Sequence, residues 1–166
     1  MKKLMLFFIS FLLAGSSIVL NAQSGPSEYK VVNKFHIPGD GGWDYLSVDE
    51  STGRVFISHG TVVDVVDSKT GTFLGMIPDT KGVHGISLAP DLNKAFISNG
   101  KDSSVTVIDL KLLAFKEKVT VTGQNPDAIL YDPFSQKVFV YNGRSSNATV
   151  IDAKTDKVVA TIKLDG

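Results

Sequence analysis

The sequence predicts an all-β fold, a partial β-propeller made of one leading strand and three four-stranded antiparallel units stacked side by side. The first observation is a hexapeptide that occurs three times, as Val55-Phe-Ile-Ser-His-Gly60, Ala95-Phe-Ile-Ser-Asn-Gly100 and Val138-Phe-Val-Tyr-Asn-Gly143. The second is an apolar run ending in aspartate after each copy, at Val65-Val-Asp67, Val107-Ile-Asp109 and Val150-Ile-Asp152. The third is a polar position ahead of each copy, Asp44, His84 and Asp127, spaced by 40 and 43 residues like the phenylalanines and glycines of the hexapeptides. The three aspartates are 42 and 43 apart, so the first copy carries a loop two residues shorter between its glycine and its aspartate. Self-similarity at about 40 residues, carried by short β-rich segments and turn residues, marks a stack of four-stranded units.

Each part of the chain has its own signal. Lys2 and Lys3, the apolar tract Leu4 to Leu13 and the small residue Ala22 have the layout of a secretory signal peptide over residues 1–22. Gly15, Ser16, Ser17 and Asn21 interrupt that tract, which argues against a membrane-spanning helix. Cleavage after Ala22 leaves a polar tether, residues 23–28, and a periplasmic or secreted protein. From Tyr29 to Pro38 a loose alternation with Val31, Val32, Phe35 and Ile37 reads as the leading strand, and Gly39-Asp-Gly-Gly42 as a turn. The repeats then run over about 43–81, 82–123 and 124–166.

Within the second repeat four strands are expected at Ile86–Ala89, Lys94–Ser98, Ser104–Ile108 and Phe115–Val121. Pro90-Asp-Leu-Asn93 supplies a turn with its φ pre-set by proline. Asn99-Gly100 and Asn142-Gly143 read as hairpin pairs tolerant of positive φ. Asp67 and Asp152 head turns that their carboxylates can close on the backbone. Val105-Thr-Val-Ile108, Thr149-Val-Ile151 and Val62 to Val66 are apolar on both sides, so each sheet is expected to lie between two neighbours. No helical period is visible after residue 29.

Composition narrows the functions. The chain has 166 residues and no cysteine, which removes a lipidation site, a disulfide framework and a thiolate metal cluster. Without Lys2 and Lys3, 15 basic residues face 17 acidic ones, and no basic block gives a nucleic-acid footprint. Three units cannot close a circle, so the two end sheets are expected to expose apolar faces and the chain to self-associate.

Phe96 to Asp109, read as Phe-Ile-Ser-Asn-Gly-x-x-x-Ser-Val-Thr-Val-Ile-Asp, resembles the repeat of the YVTN-type β-propellers, the YncE-like exported proteins. Phe139-Val-Tyr-Asn142 is a second version of the same tetrapeptide, and Phe56-Ile-Ser-His59 departs from it by ending in histidine. Gly82-Val-His-Gly-Ile86 with Ala89-Pro-Asp91 matches the usual lead-in. The resemblance implies a seven-bladed ring in which Tyr29–Pro38 would be the outer strand of the closing blade. On that reading the chain is an N-terminal fragment of a longer reading frame; a short chain that completes its ring by oligomerising is the alternative.

Candidate site residues follow from the meander. The start of the first strand and the end of the second lie at the same end of an antiparallel sheet. Asp44, His84 and Asp127 therefore share an end with His59, Asn99 and Asn142, and in a propeller that end is a channel mouth. Trp43 would add an aromatic wall. Convergent polar groups at a concave mouth form a binding-site hypothesis for a small molecule or protein. These donors are also compatible with a divalent cation, although no specific metal motif is present. Turn formation is the competing role for the aspartates and asparagines, whereas no turn needs the imidazole of His84. His36 reads as a surface residue and Asn147-Ala-Thr149 as a loop. The favoured function is an extracytoplasmic binding or scaffold module of unknown ligand, without a catalytic constellation. The alternative is a metal-assisted lactonase or hydrolase with its site at the channel mouth.

Overall fold

The computed structural model describes residues 29–165. The chain divides into two compact units, Met1–Lys34 and Phe35–Gly166. Of the first, Tyr29–Lys34 is described, without regular secondary structure and exposed, with Tyr29 98% accessible. The expected signal peptide and tether lie outside the described residues.

The second unit holds three four-stranded antiparallel sheets, each a meander in chain order. The first is β1 (Trp43–Asp49), β2 (Arg54–His59), β3 (Val62–Asp67) and β4 (Phe73–Ile77). The second is β5 (Val83–Ala89), β6 (Lys94–Asn99), β7 (Ser104–Asp109) and β8 (Ala114–Thr120). The third is β9 (Pro126–Asp132), β10 (Lys137–Asn142), β11 (Asn147–Asp152) and β12 (Lys157–Lys163). Among the described residues the helical content is a single 3-10 turn, Pro90–Leu92, at the expected proline turn, with Asn93 closing it in the left-handed region.

Register makes the repeat exact in space. Phe56 pairs with Ser47 and Val65, Phe96 with Ser87 and Val107, and Phe139 with Leu130 and Val150. The first strands β1, β5 and β9 lie side by side. Apolar residues fill the two gaps between sheets. In the first gap Phe56, Val63, Val65 and Ile77 meet Ile86, Ala95, Ile97, Ile108 and Leu110. In the second Phe96, Val105, Val107, Val119 and Val121 meet Tyr131, Val138, Val140, Ile151 and Ala153. A strand buried on both faces needs apolar residues at odd and even positions, which is why these strands do not alternate. The outward faces of the end sheets are open and carry apolar residues: Leu46 is 64% and Leu130 56% accessible.

Residues 29–38 enter no ladder among the described residues, and the first paired strand begins at Trp43. A strand takes its ladder from a hydrogen-bonded neighbour, and this segment has none among the described residues. One expectation is corrected, that of the hairpins. Gly60 takes a φ of +62° in a two-residue loop, but Gly100 and Gly143 are not in the left-handed region. In the longer loops that conformation falls to Ser103 (φ +44°) and Ser146 (φ +45°), one residue before the next strand. The shorter first loop inferred from the spacing is present.

The aspartate turns form as expected. Asp67 Oδ1 accepts from Lys69 N and Thr70 N at 2.9 and 2.8 Å, and Asp152 Oδ1 from Lys154 N and Thr155 N at 3.2 and 3.0 Å. Asp109 does the same with Lys111 and Leu112. Backbone N–H donors hold the Asp67 and Asp109 carboxyls below the usual value, and the Lys137 ammonium, with Thr155, does so for Asp152.

Candidate functional site

The start of each first strand is built the same way. The residue before it is left-handed in all three repeats: Gly42 (φ +72°), Gly82 (φ +62°) and Asn125 (φ +55°). Its carbonyl accepts from the glycine of the matching hexapeptide, Gly60 N to Gly42 O at 2.9 Å, Gly100 N to Gly82 O at 2.8 Å and Gly143 N to Asn125 O at 2.9 Å. Asparagine serves in the third repeat because it tolerates this region better than other side chains.

Asp44, His84 and Asp127 then sit in an irregularity of the ladder. Register breaks between Trp43 and Leu46, between Val83 and Ile86, and between Pro126 and Ile129, where two residues face one across the strand. Such a bulge re-aims a side chain without ending the sheet. In the first two repeats a serine closes the gap. Ser58 Oγ accepts from Tyr45 N at 2.6 Å and donates to Tyr45 O at 2.9 Å. Ser98 Oγ accepts from Gly85 N at 2.9 Å and donates across the seam to Asp127 O at 2.5 Å.

The bulges bring two of the three polar residues together. His84 Nδ1 lies 2.6 Å from Asp44 Oδ2, joining the first strands of adjacent sheets. Facing a carboxylate, Nδ1 carries the proton, and Nε2 is the free ring nitrogen. Gly100 is packed against that edge: a Cβ there would come within 2.6 Å of His84 Nε2 and 2.9 Å of Asn125 Oδ1. Gly100 is therefore a close-approach glycine, which spacing alone could not distinguish from a hairpin glycine. Asp127 does not join the pair; among the described residues no three carboxylate or imidazole groups gather to hold an ion.

The other candidates are placed differently. His59 Nδ1 lies 3.0 Å from Asp64 Oδ2, and its ring stacks on Trp43 at a centroid distance of 3.8 Å. Both rings belong to the first sheet. Asn99 and Asn142 are buried within their own sheets. Asn99 Nδ2 donates to Ser104 Oγ and Thr106 Oγ1 at 3.0 and 2.9 Å, and Asn142 Nδ2 donates to Asn147 Oδ1 and Thr149 Oγ1 at 2.7 and 2.9 Å. His59–Asp64 is the same cross-strand lock in the first repeat, because Asp64, Thr106 and Thr149 occupy equivalent ladder positions.

A cavity of about 570 Å³ opens beside His84, between the second and third repeats, lined by Gly82, His84, Gly100, Lys101, Ser103, Gln124, Asn125 and Arg144. That volume suits a small molecule. Its polar rim comes from the loops after β6 and β10 and the approach to β9. Lys101 and Arg144 escaped the sequence argument, although each directly follows the hexapeptide glycine and could have been found by extending the alignment one residue. A second, mostly apolar groove of about 450 Å³ lies along Phe35, His36, Ile37, Trp43, Asp44, Tyr45, Leu46 and Ile57, so Trp43 and Asp44 line this groove and not the cleft beside His84. The residues equivalent to Leu46 and Ile57 in the later repeats pack against a preceding sheet, so this groove has the character of a sheet-packing face.

The repeats also share a seam device that the sequence reading missed. Arg54 Nη1 donates to Leu110 O and Lys111 O of the next sheet at 3.0 and 3.2 Å. Lys94 Nζ donates to Ala153 O and Lys154 O at 2.9 and 3.0 Å and pairs with Asp156 at 2.7 Å. Lys137, third in the series, turns back to Asp152 of its own sheet at 2.8 Å. A basic residue two positions before each phenylalanine was the available signal.

No family model and no curated protein matches this chain. Solved structures do. Hydrazine synthase of Kuenenia stuttgartiensis superposes with a TM-score of 0.68 at 21% identity, over 81% of this chain and 39% of that one. The periplasmic gluconolactonase PpgL of Pseudomonas aeruginosa gives 0.64 at 18% identity, over 77% and 42%. The WD40 repeats of RRP9 give 0.65 at 11% identity, over 73% and 38%. At such identities the likeness is one of fold, and the fold is a β-propeller of which this chain spans about two fifths of each neighbour's length.

Proposed function

We propose that this chain belongs to an extracytoplasmic β-propeller of the YVTN type, and that it works as a binding module whose ligand occupies the cleft between the second and third repeats. The observation that carries the reading is convergence. The bulged strand β5, the loops after two hexapeptides and the left-handed approach to β9 bring His84, Lys101, Gln124, Asn125 and Arg144 to one cavity. The Asp44 carboxylate fixes the imidazole from the neighbouring sheet. Export is supported by Lys2, Lys3 and the Leu4–Leu13 tract.

The metal-assisted hydrolase is the weaker reading. It would need a third ligand beside Asp44 and His84, and among the described residues no further histidine, aspartate or glutamate gathers with them. The periplasmic gluconolactonase neighbour supports it by fold likeness alone.

The test is a thermal-shift screen of polar small molecules against the wild-type protein and Gln124→Trp. Gln124 is exposed at the cleft wall, so an indole there fills the cavity without entering the core. Compounds that raise the melting temperature of the wild type but not of Gln124→Trp are expected. Hits that survive the substitution would move the site elsewhere.

A further inference from the structure

The cleft has a sign, and resting on the reading just given we infer that it takes a small oxyanion, a molecule presenting a carboxylate or a phosphate to Lys101 and Arg144. Both cations line the cavity, and no carboxylate does. Neither Lys101 nor Arg144 has an ion-pair partner among the described residues. Of the neighbouring acids, Asp102, next to Lys101 in the chain, pairs with Lys118 at 2.8 Å, Asp44 holds the far nitrogen of His84 at 2.6 Å, and Asp127, two residues after Asn125, is not among the lining residues.

The two cations are also placed, not merely present. Each follows a glycine whose N–H is clamped to the residue ahead of its first strand, Gly100 to Gly82 and Gly143 to Asn125. A second bond repeats the pattern one residue on, Lys101 N to Lys81 O and Arg144 N to Gln124 O, both at 3.2 Å. Their backbones are thereby held at equivalent points on neighbouring repeats, lining one cavity. The first repeat has Thr61 at this position, so the charge is a property of this junction. Arginine's planar fork matches two oxygens of one acid group, and lysine supplies a compact charge. Gln124, Asn125 and Ser103 remain for neutral hydroxyls of the same ligand.

The experiment is isothermal titration calorimetry of the purified protein at low ionic strength, with citrate, with glycerol 3-phosphate and with glycerol. Citrate and glycerol 3-phosphate separate carboxylate from phosphate, and glycerol is the neutral counterpart. Binding of at least one anion, with none of glycerol, is expected. Lys101→Gln and Arg144→Gln should each weaken it about tenfold or more, the loss of one charged hydrogen bond. Arg144→Lys should recover part of it. Lys116→Gln, on the exposed strand β8, removes an equal charge away from the cleft and should change nothing. Anion binding that Lys101→Gln and Arg144→Gln leave intact, or that Lys116→Gln weakens equally, would overturn the inference, as would failure of both anions. If neutral hits from the screen bind in a manner abolished by Gln124→Trp while the anions do not bind, the anionic class falls and the binding-module reading survives.

Discussion

Truncating the three hexapeptide phenylalanines to alanine should give unequal losses in a fixed order, although their ladder partners are equivalent. Phe56 and Phe96 are fully buried, each between its own sheet and the next. Phe139 occupies the same register in the third sheet but is only half-buried, because its face meets no following sheet among the described residues. Removing a fully buried phenylalanine costs about 3–5 kcal/mol through lost transfer energy and the cavity left behind. Phe56→Ala and Phe96→Ala should both fall in that range, while Phe139→Ala should lose about half as much, since part of its surface already meets water. With a urea slope of about 1.5 kcal/mol/M, the first two midpoints should drop by about 2–3 M and the third by about 1 M. Urea titrations followed by far-UV circular dichroism, at one fixed protein concentration, measure this. Equal losses at all three positions, or the largest at Phe139, would refute the account of how the sheets share their cores.

Three further outcomes follow from the seams, the turns and the end faces. Lys94→Met should destabilise by about 3–5 kcal/mol, because it strands the largely buried Asp156 carboxylate and two carbonyls, whereas Lys137→Met, at a partly exposed pair within one sheet, should cost no more than about 1 kcal/mol; urea midpoints decide between them. The carboxyls of Asp67, Asp109 and Asp152 titrate below the ordinary 3.8 in the folded chain, so the unfolded chain binds protons first. Their contribution is fully present above that value and is lost as pH falls below it, so melting temperature should be flat from neutral pH to about 5 and then decline; a decline that begins near neutrality would contradict this. Leu46 and Tyr45 at one end and Leu130 and Ile162 at the other should make the isolated chain associate reversibly as concentration rises; sedimentation velocity showing a monomer throughout would count against exposed sheet-packing faces.

What was readable in the sequence was whatever repeats. Three copies of a hexapeptide fixed strand positions to within a few residues and located the short first loop, since register in a two-sided core tolerates no slip. The alternation at residues 29–38 marks a segment able to pair but carries no information about its partner. The site was legible in part. Asp44 and His84 meet as the shared sheet end requires, but Asn99 and Asn142 are absorbed by cross-strand hydrogen bonds to Thr106 and Thr149. His59 is absorbed by Asp64 and Trp43. A polar residue at a strand end can face the mouth or the neighbouring strand, and sequence spacing does not separate the two. Lys101 and Arg144 stood one residue beyond the aligned block, where loop length varies between repeats.

The most direct measurement of the central claim is hydrogen–deuterium exchange of the backbone with and without the strongest compound from the screen. Protection should concentrate at residues 82–84, 99–103, 124–127 and 142–144, the segments that frame the cleft. Protection confined to residues 35–46, along the apolar groove of the first sheet, would contradict the assignment of the binding site.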